Sequence, residues 1–322
     1  FTGIMINFFH IAKNTFTESI REPIFFILLI TALVLIGHFP SMTLFVFGDQ
    51  IKLVVDSSMA TVMLFGLFVA VMSSSHTVTR EMRNGTVLLL LSKPVYRGTF
   101  ILAKIAGIIF TVAVFVFLCN VGSIISLYVA KDQFRMDMGA YYIYFAILIA
   151  SCIFGMVMNF MYTRSFASYT TLGIWILLPI YCAICLIFKE HPAILLQSYI
   201  YALVLVFMSV SAMAAITVVF ATRLDMVANL TVCSVIFFLG LVSSYLFLGN
   251  AGSPALNTIY KTFYAILPNW QFFWLADALA SHQPIPVSYL LWAALYVVLY
   301  VALCTMWAVV VFQNKEIAKD TR

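Results

Sequence analysis

Long apolar runs separated by short polar breaks dominate this chain. They fall at about 24–47, 54–78, 98–130, 141–163, 168–188, 194–221, 226–248 and 289–312. At 1.5 Å of rise per residue, each is long enough as a helix to cross a hydrocarbon core of roughly 30 Å. The third and sixth exceed that need and must tilt, bend or project. Pro40, Pro179 and several in-span glycines mark expected bends. Residues 4–21 read differently. Phe8, Ala12, Phe16 and Ile20 recur at four-residue steps beside Met5, Phe9 and Ile11, while Asn7, His10, Lys13, Asn14, Thr17, Glu18 and Arg21 fill the opposite face. That pattern predicts an amphipathic helix lying in a membrane interface and ended by Pro23. The chain thus divides into an interfacial helix over 1–23, a transmembrane region over 24–312 and a tail over 313–322.

Composition agrees. Of 322 residues, 64% are hydrophobic and 9% charged, against about 45–50% apolar in soluble domains. The fold class is an all-α polytopic membrane protein with eight spans. Six full crossings with re-entrant segments are the alternative, because the fifth and sixth spans are the least secure. Eight crossings put both termini on one side. That side holds Lys13, Arg21, Arg80, Arg83, Lys93, Arg97, Lys104, Arg164, Arg223, Lys315, Lys319 and Arg322, and the other holds Lys52, Lys131, Arg135, Lys189 and Lys261. The basic excess makes the first side cytoplasmic. In such a protein the placement of charge outweighs the net +5, which says nothing about nucleic acid. The opening residues mix acids with bases and lack a small-residue cleavage site, so they do not read as a signal peptide. The chain begins at Phe1 rather than Met, and a few preceding residues are expected.

The densest run of charge is 80–97, between the second and third spans. Gly85 permits a sharp turn. Thr86 is a helix cap for the N–H of Leu88 or Leu89, and Pro94 stops the helix. Val87 and four leucines form about two turns apolar on every side, which must be buried on every side. Each leucine left in water forgoes roughly 1.5–3 kcal/mol. A partner surface is one reading. Packing back on the chain's own membrane region is the other.

The last connection, about 249–288, is long for a structureless loop. It is punctuated by Pro254, Pro268, Pro284 and Pro286, and Phe263, Trp270, Phe272, Phe273 and Trp274 crowd it. Aromatics at this density suit the membrane boundary and predict one or two short helices dipping into the outer leaflet. A plain aromatic anchor is the competing reading.

Catalytic and metal chemistry is sparse. The middle of every span lacks acids and bases, whereas an ion-coupled transporter usually keeps one there. Lys104 sits near an inner end, where it is expected to snorkel. The five histidines form no facing pair for haem, and no HExxH occurs. The six cysteines lie in apolar segments and read as packing. The clustered methionines Met156, Met158 and Met161 read as gap-fillers rather than a Cu(I) site. Asn120, Ser123 and Asn159 either line a path or glue helices together, and the second is the commoner role. No GxxxxGK[ST] loop exists and Gly-Lys does not occur at all. The chain is therefore not expected to bind ATP in that manner or to be an enzyme.

Arg80-Glu81, Gly85-Thr86, Leu89-Leu90-Leu91-Ser92, Pro94-Val95, Arg97, then Lys104 and Gly107, together resemble the signature of ABC-2 type transporter permeases. About 28 residues match closely, and the flanking plan fits loosely over the whole chain. The resemblance implies a type V-like exporter transmembrane domain: an interfacial helix, a cytoplasmic coupling helix between spans two and three, and outer helices before the last span. It implies a dimer with a second permease copy, identical or different, and two copies of a separate ATP-binding subunit holding ATP and Mg. This chain itself would bind no cofactor. Glu81, Gly85, Thr86, Leu89, Leu90, Pro94 and Arg97 would be the coupling positions, and Phe263, Trp270 and Phe273 the external gate. Membrane lipid is a further expected partner, and the expected location is a bacterial cytoplasmic membrane. Val87 and Leu88 stand where the family often has an acidic residue, and six spans are typical of it. The rivals are an ATPase-independent secondary transporter or channel, and a membrane anchor for a cytoplasmic partner.

Overall fold

The computed structural model describes residues 2–43, 50–79, 97–131, 135–189, 196–247, 258, 260–262, 264, 267–281 and 283–320. The interfacial segment is helix α1 (Thr2–Arg21), and Glu22 separates it from α2 (Pro23–Met42), whose Pro occupies the first helical position, where a missing N–H costs nothing. Then come α3 (Gln50–Ser74) and α4 (Arg97–Val129). A two-residue antiparallel ladder, β1 (Ala130–Lys131) with β2 (Arg135–Met136), leads to α5 (Met138–Tyr162). Helices α6 (Phe166–Phe188), α7 (Leu196–Ala221) and α8 (Met226–Phe247) follow. A 3₁₀ turn (Trp270–Phe273), the short α9 (Ala276–Ala280) and α10 (Val287–Asp320) complete the described elements.

Eight of these helices, α2 to α8 and α10, are long and apolar enough to cross a membrane. This is an all-α polytopic membrane protein. All eight predicted spans form helices within a few residues of the expected limits, the fifth and sixth included. Pro40 and Pro179 lie inside continuous helices. Helix α10 continues without a break into the residues read as a tail.

Burial ranks the helices. In the most apolar windows of α3, α4 and α7, 67, 61 and 78% is buried, against 22, 22 and 28% for α5, α8 and α10. The first three form the centre and the others the rim. Hydrophobicity alone cannot rank them, since lipid tails are as apolar as leucine; small residues decide which helices approach closely. A Cβ on Gly66 of α3 would lie 2.6 Å from Val210 of α7, and one on Gly155 of α5 would lie 2.0 Å from Thr170 of α6.

Alternating helices give the bundle two ends. At one end α1 meets α4, Phe26 meets Phe166 (ring centroids 5.0 Å apart), and the Arg223 guanidinium donates to the carbonyl of Val311 at 2.8 Å. At the other, Lys52 pairs with Asp277 at 3.0 Å, Lys189 pairs with Asp137, and the Ile285 amide donates to Ser198 at 3.3 Å. Arg223 thus lies at one end, and Lys52 and Lys189 at the other.

Two local expectations change. The face of α1 turned to the bundle is centred on Thr15 and Ser19, 0 and 1% exposed, while Ile6 and Phe9 point outward. The reason is Gly107 of α4, whose bare Cα admits the backbone of α1: a Cβ there would lie 2.7 Å from the carbonyl oxygen of Ala12. Lys104 does not snorkel. It is 1% exposed, with its ammonium 5.8 Å from the centre of the Phe100 ring. Helix α1 packs along α4, and position 104 lies one turn before the Gly107 contact, so it is enclosed.

Candidate functional site

At the α1 end, the second span finishes in a polar run, Ser73-Ser74-Ser75-His76-Thr77-Val78-Thr79, of which residues Ser75–Thr79 wind as a π-helix. Such turns recur at functional sites because the widened ring frees backbone and side chains for other bonds. Here those bonds go to α7 and α8. Buried Asn229 of α8 donates to Ser75 Oγ at 3.1 Å and to the Thr217 carbonyl at 3.3 Å, and accepts from Cys233 Sγ at 3.2 Å. Thr217 in turn donates to the Ala70 carbonyl at 3.3 Å. Thr79 donates to the Ala221 carbonyl at 3.0 Å. The end of α3 is thereby pinned to the α7–α8 junction immediately before residue 80.

Histidine 76 reaches the other way, toward α1. Its Nε2 lies 2.8 Å from Glu22 Oε1 and its Nδ1 lies 3.9 Å from Glu18 Oε1. Glu18 lies in the last turn of α1 and Glu22 in the extended link just past its end, so the α1–α2 junction presents both carboxylates to one imidazole. Beside them is a cavity of about 620 Å³, walled by Ser19, Glu22, Phe25 and Leu28 on one side and by Val69, Ser73, His76, Asp225 and Met226 on the other. The described residues contain no His, Cys, Asp or Glu group arranged to hold a metal ion.

The predicted coupling residues Glu81, Gly85, Thr86, Leu89, Leu90 and Pro94 lie outside the described residues, as does Phe263 of the predicted gate. Arg97 opens α4. The segment they define is therefore bracketed by the pinned end of α3 and by the start of α4, the helix that α1 covers.

Trp270 and Phe273 are both 0% exposed. Trp270 fits against α8, where a Cβ on Gly240 would lie 2.4 Å from its Nε1, and Phe273 packs against Tyr296 of α10 with ring centroids 6.0 Å apart. Both pack at the end opposite α1. Asn120 and Ser123 share the α7-facing side of α4: Asn120 donates to the Leu203 carbonyl at 3.2 Å, and Ser123 Oγ lies 2.6 Å from Tyr199 Oη. Asn159 is elsewhere. Its amide donates to the Arg164 carbonyl at 2.6 Å and closes the α5–α6 turn, in which Thr163 is left-handed at φ 51°. Asn120 and Ser123 thus bond between helices, and Asn159 bonds within a turn.

No family model and no curated protein matches the chain.

The His76 cluster was not singled out from sequence. A usable signal was present: seven consecutive residues, six of them hydroxyl-bearing or histidine, closing an otherwise apolar span. What the sequence lacks is any sign that Asn229, more than 150 positions away, completes it.

Proposed function

We propose that this chain is the membrane-spanning subunit of an ATP-driven ABC exporter. It works as a dimer in a bacterial cytoplasmic membrane, with both termini cytoplasmic and with separate ATP-binding subunits. The observation that carries the reading is the ordered signature from Arg80 to Arg97, with Lys104 and Gly107 beyond it, between two helices of a polytopic bundle. Two features support it. The chain lacks a phosphate-binding loop, so work must be powered from outside. The helices flanking the signature are also among the three central ones, and a push on the segment enters the middle of the bundle.

In this reading the segment 86–91 docks in a groove of the ATPase. Nucleotide binding draws two ATPases together, and the segment moves with them. Helix α3, locked to α7 and α8 through Asn229 and Thr79, moves those helices as a unit. Helix α4 carries α1. The result is a rigid-body change between two access states, driven by differential binding of nucleotide. Trp270 and Phe273 belong to the plug that this motion must loosen at the far end.

The test is association. Substituting Leu89→Asp and Leu90→Asp places two charges where an apolar groove must desolvate them, at several kcal/mol. Co-purification with the ATPase is expected to be lost while membrane insertion is retained. Undiminished co-purification would end the docking proposal.

A further inference from the structure

We infer that the cavity between α1–α2 and the ends of α3 and α8 holds a membrane lipid with an uncharged, hydroxyl-bearing headgroup, drawn from the leaflet on the α1 side. Its volume is about 620 Å³, enough for a headgroup and the first part of a chain. The lining changes character with depth. Glu22 and His76 lie toward the surface, while Leu28 and Val69 stand six and seven residues further into the bundle, roughly 9 and 10 Å deeper at 1.5 Å per residue. That gradient fits a lipid set upright, its polar group at the surface and its acyl chain inward. The rim gives the direction of approach. Ile24 and Val227 line the cavity in the first turns of α2 and α8, and are 41 and 76% exposed. Both helices are long and apolar enough to span, so their first turns lie where headgroups meet acyl chains. An apolar rim at that level opens to lipid.

Ser19 specifies the head. It is 1% exposed and lines the cavity, and its hydroxyl has no hydrogen-bond partner among the described residues. Helix hydroxyls ordinarily bond the carbonyl one turn back, as Thr15 and Thr17 do on the same helix at 2.9 and 2.8 Å. A buried hydroxyl left unpaired is costly. Three positions on, Glu22 lines the same cavity with its Oε1 2.8 Å from His76 Nε2. It thus has a partner and does not require a cation, yet a carboxylate accepts at both oxygens. One ligand hydroxyl serves both side chains: it accepts from the Ser19 O–H and donates to the Glu22 carboxylate. An ammonium has no acceptor and would leave the Ser19 proton unpaired. A phosphate could take that proton but would stand against Glu22, and among the described lining residues no Lys or Arg offsets it.

The site does not depend on the export reading. The test uses the full chain in phosphatidylcholine nanodiscs and a diacylglycerol with a photoreactive diazirine in one acyl chain. Saturable labelling is expected, with adducts on the lining stretches of α2 and α3. Capping the probe's hydroxyl as its methyl ether removes the donor to Glu22 and should weaken labelling at least roughly tenfold, the value of one charge-assisted hydrogen bond. S19A should weaken it about fivefold, the value of a neutral one, without lowering the unfolding midpoint in detergent, since its hydroxyl has no partner there to lose. T17A, whose hydroxyl already bonds Lys13, should label as the parent does. V227W should block entry with Ser19 and Glu22 intact. Unlabelled diacylglycerol should compete better than phosphatidylethanolamine or phosphatidylglycerol, and glycerol, a head without a chain, should not compete. The L89D/L90D chain should label like the parent, which separates failure of this site from failure of docking. Labelling that does not saturate, equal labelling by the methyl ether, undiminished labelling of S19A, or stronger competition by phosphatidylethanolamine would overturn the inference.

Discussion

Docking of α1 hangs on Gly107, and the perturbation is a single methyl group. In Gly107→Ala the new Cβ would meet the Ala12 carbonyl oxygen and Thr15 Cβ at 2.7 Å and Thr15 Cγ2 at 3.0 Å. Ordinary contacts between such atoms are about 3.5 Å, so α1 must retreat by about 0.8 Å. The obstructing oxygen is backbone and cannot rotate away. Overpacking of this kind costs about 1–3 kcal/mol. Alanine is also a better helix former than glycine, by up to about 1 kcal/mol. That gain belongs to α4 whether or not α1 is docked, so it cancels from the docking equilibrium. What remains raises the undocked population roughly 5- to 150-fold. Ser19, buried in the docked state, reports on it: maleimide labelling of S19C should accelerate by that factor in the G107A background. Gly98→Ala is the control, because nothing lies within 4 Å of a Cβ there. Equal labelling rates for S19C with and without G107A would refute the close-approach argument.

Three further outcomes are expected. Asn229→Leu removes two donated bonds and one accepted bond at the pin between α3 and α8; it should lower stability by about 1–3 kcal/mol, seen as a fall in the thermal unfolding midpoint in detergent, and under the proposed exporter reading should uncouple ATP hydrolysis from transport. Gly240→Ala drives a Cβ to 2.4 Å from Trp270 Nε1 and from the Pro268 carbonyl, so it should expel the indole; with the other four tryptophans replaced by Phe, emission should shift to the red, and an unshifted spectrum would contradict the buried wedge. Tyr199→Phe removes the 2.6 Å contact with Ser123 at about 0.6 kcal/mol, the average for interhelical hydrogen bonds in membranes; under the proposed exporter reading transport should change little, whereas a large change in cargo preference would mark this pair as path-lining.

Period and length were enough to place eight helices long and apolar enough to cross a membrane, and the helix that precedes them. In a bilayer each span must satisfy its own backbone hydrogen bonds, so a run of apolar residues becomes a helix whatever its neighbours do. The same logic hid the rest. Lipid and protein interior are equally apolar, so hydropathy cannot tell central α7 from peripheral α5. Gly66 and Gly107 fix which helices meet by admitting Val210 of α7 and Ala12 of α1, and a lone glycine in a sequence does not announce its partner. Lys104 looked like an interfacial lysine because its covering helix lies some ninety positions away. Likewise, Asn229 joins Ser75, and Glu22 joins His76, only when folding brings together positions that no local pattern connects. Local order along the chain came from solvent; the choice of neighbours came from shape.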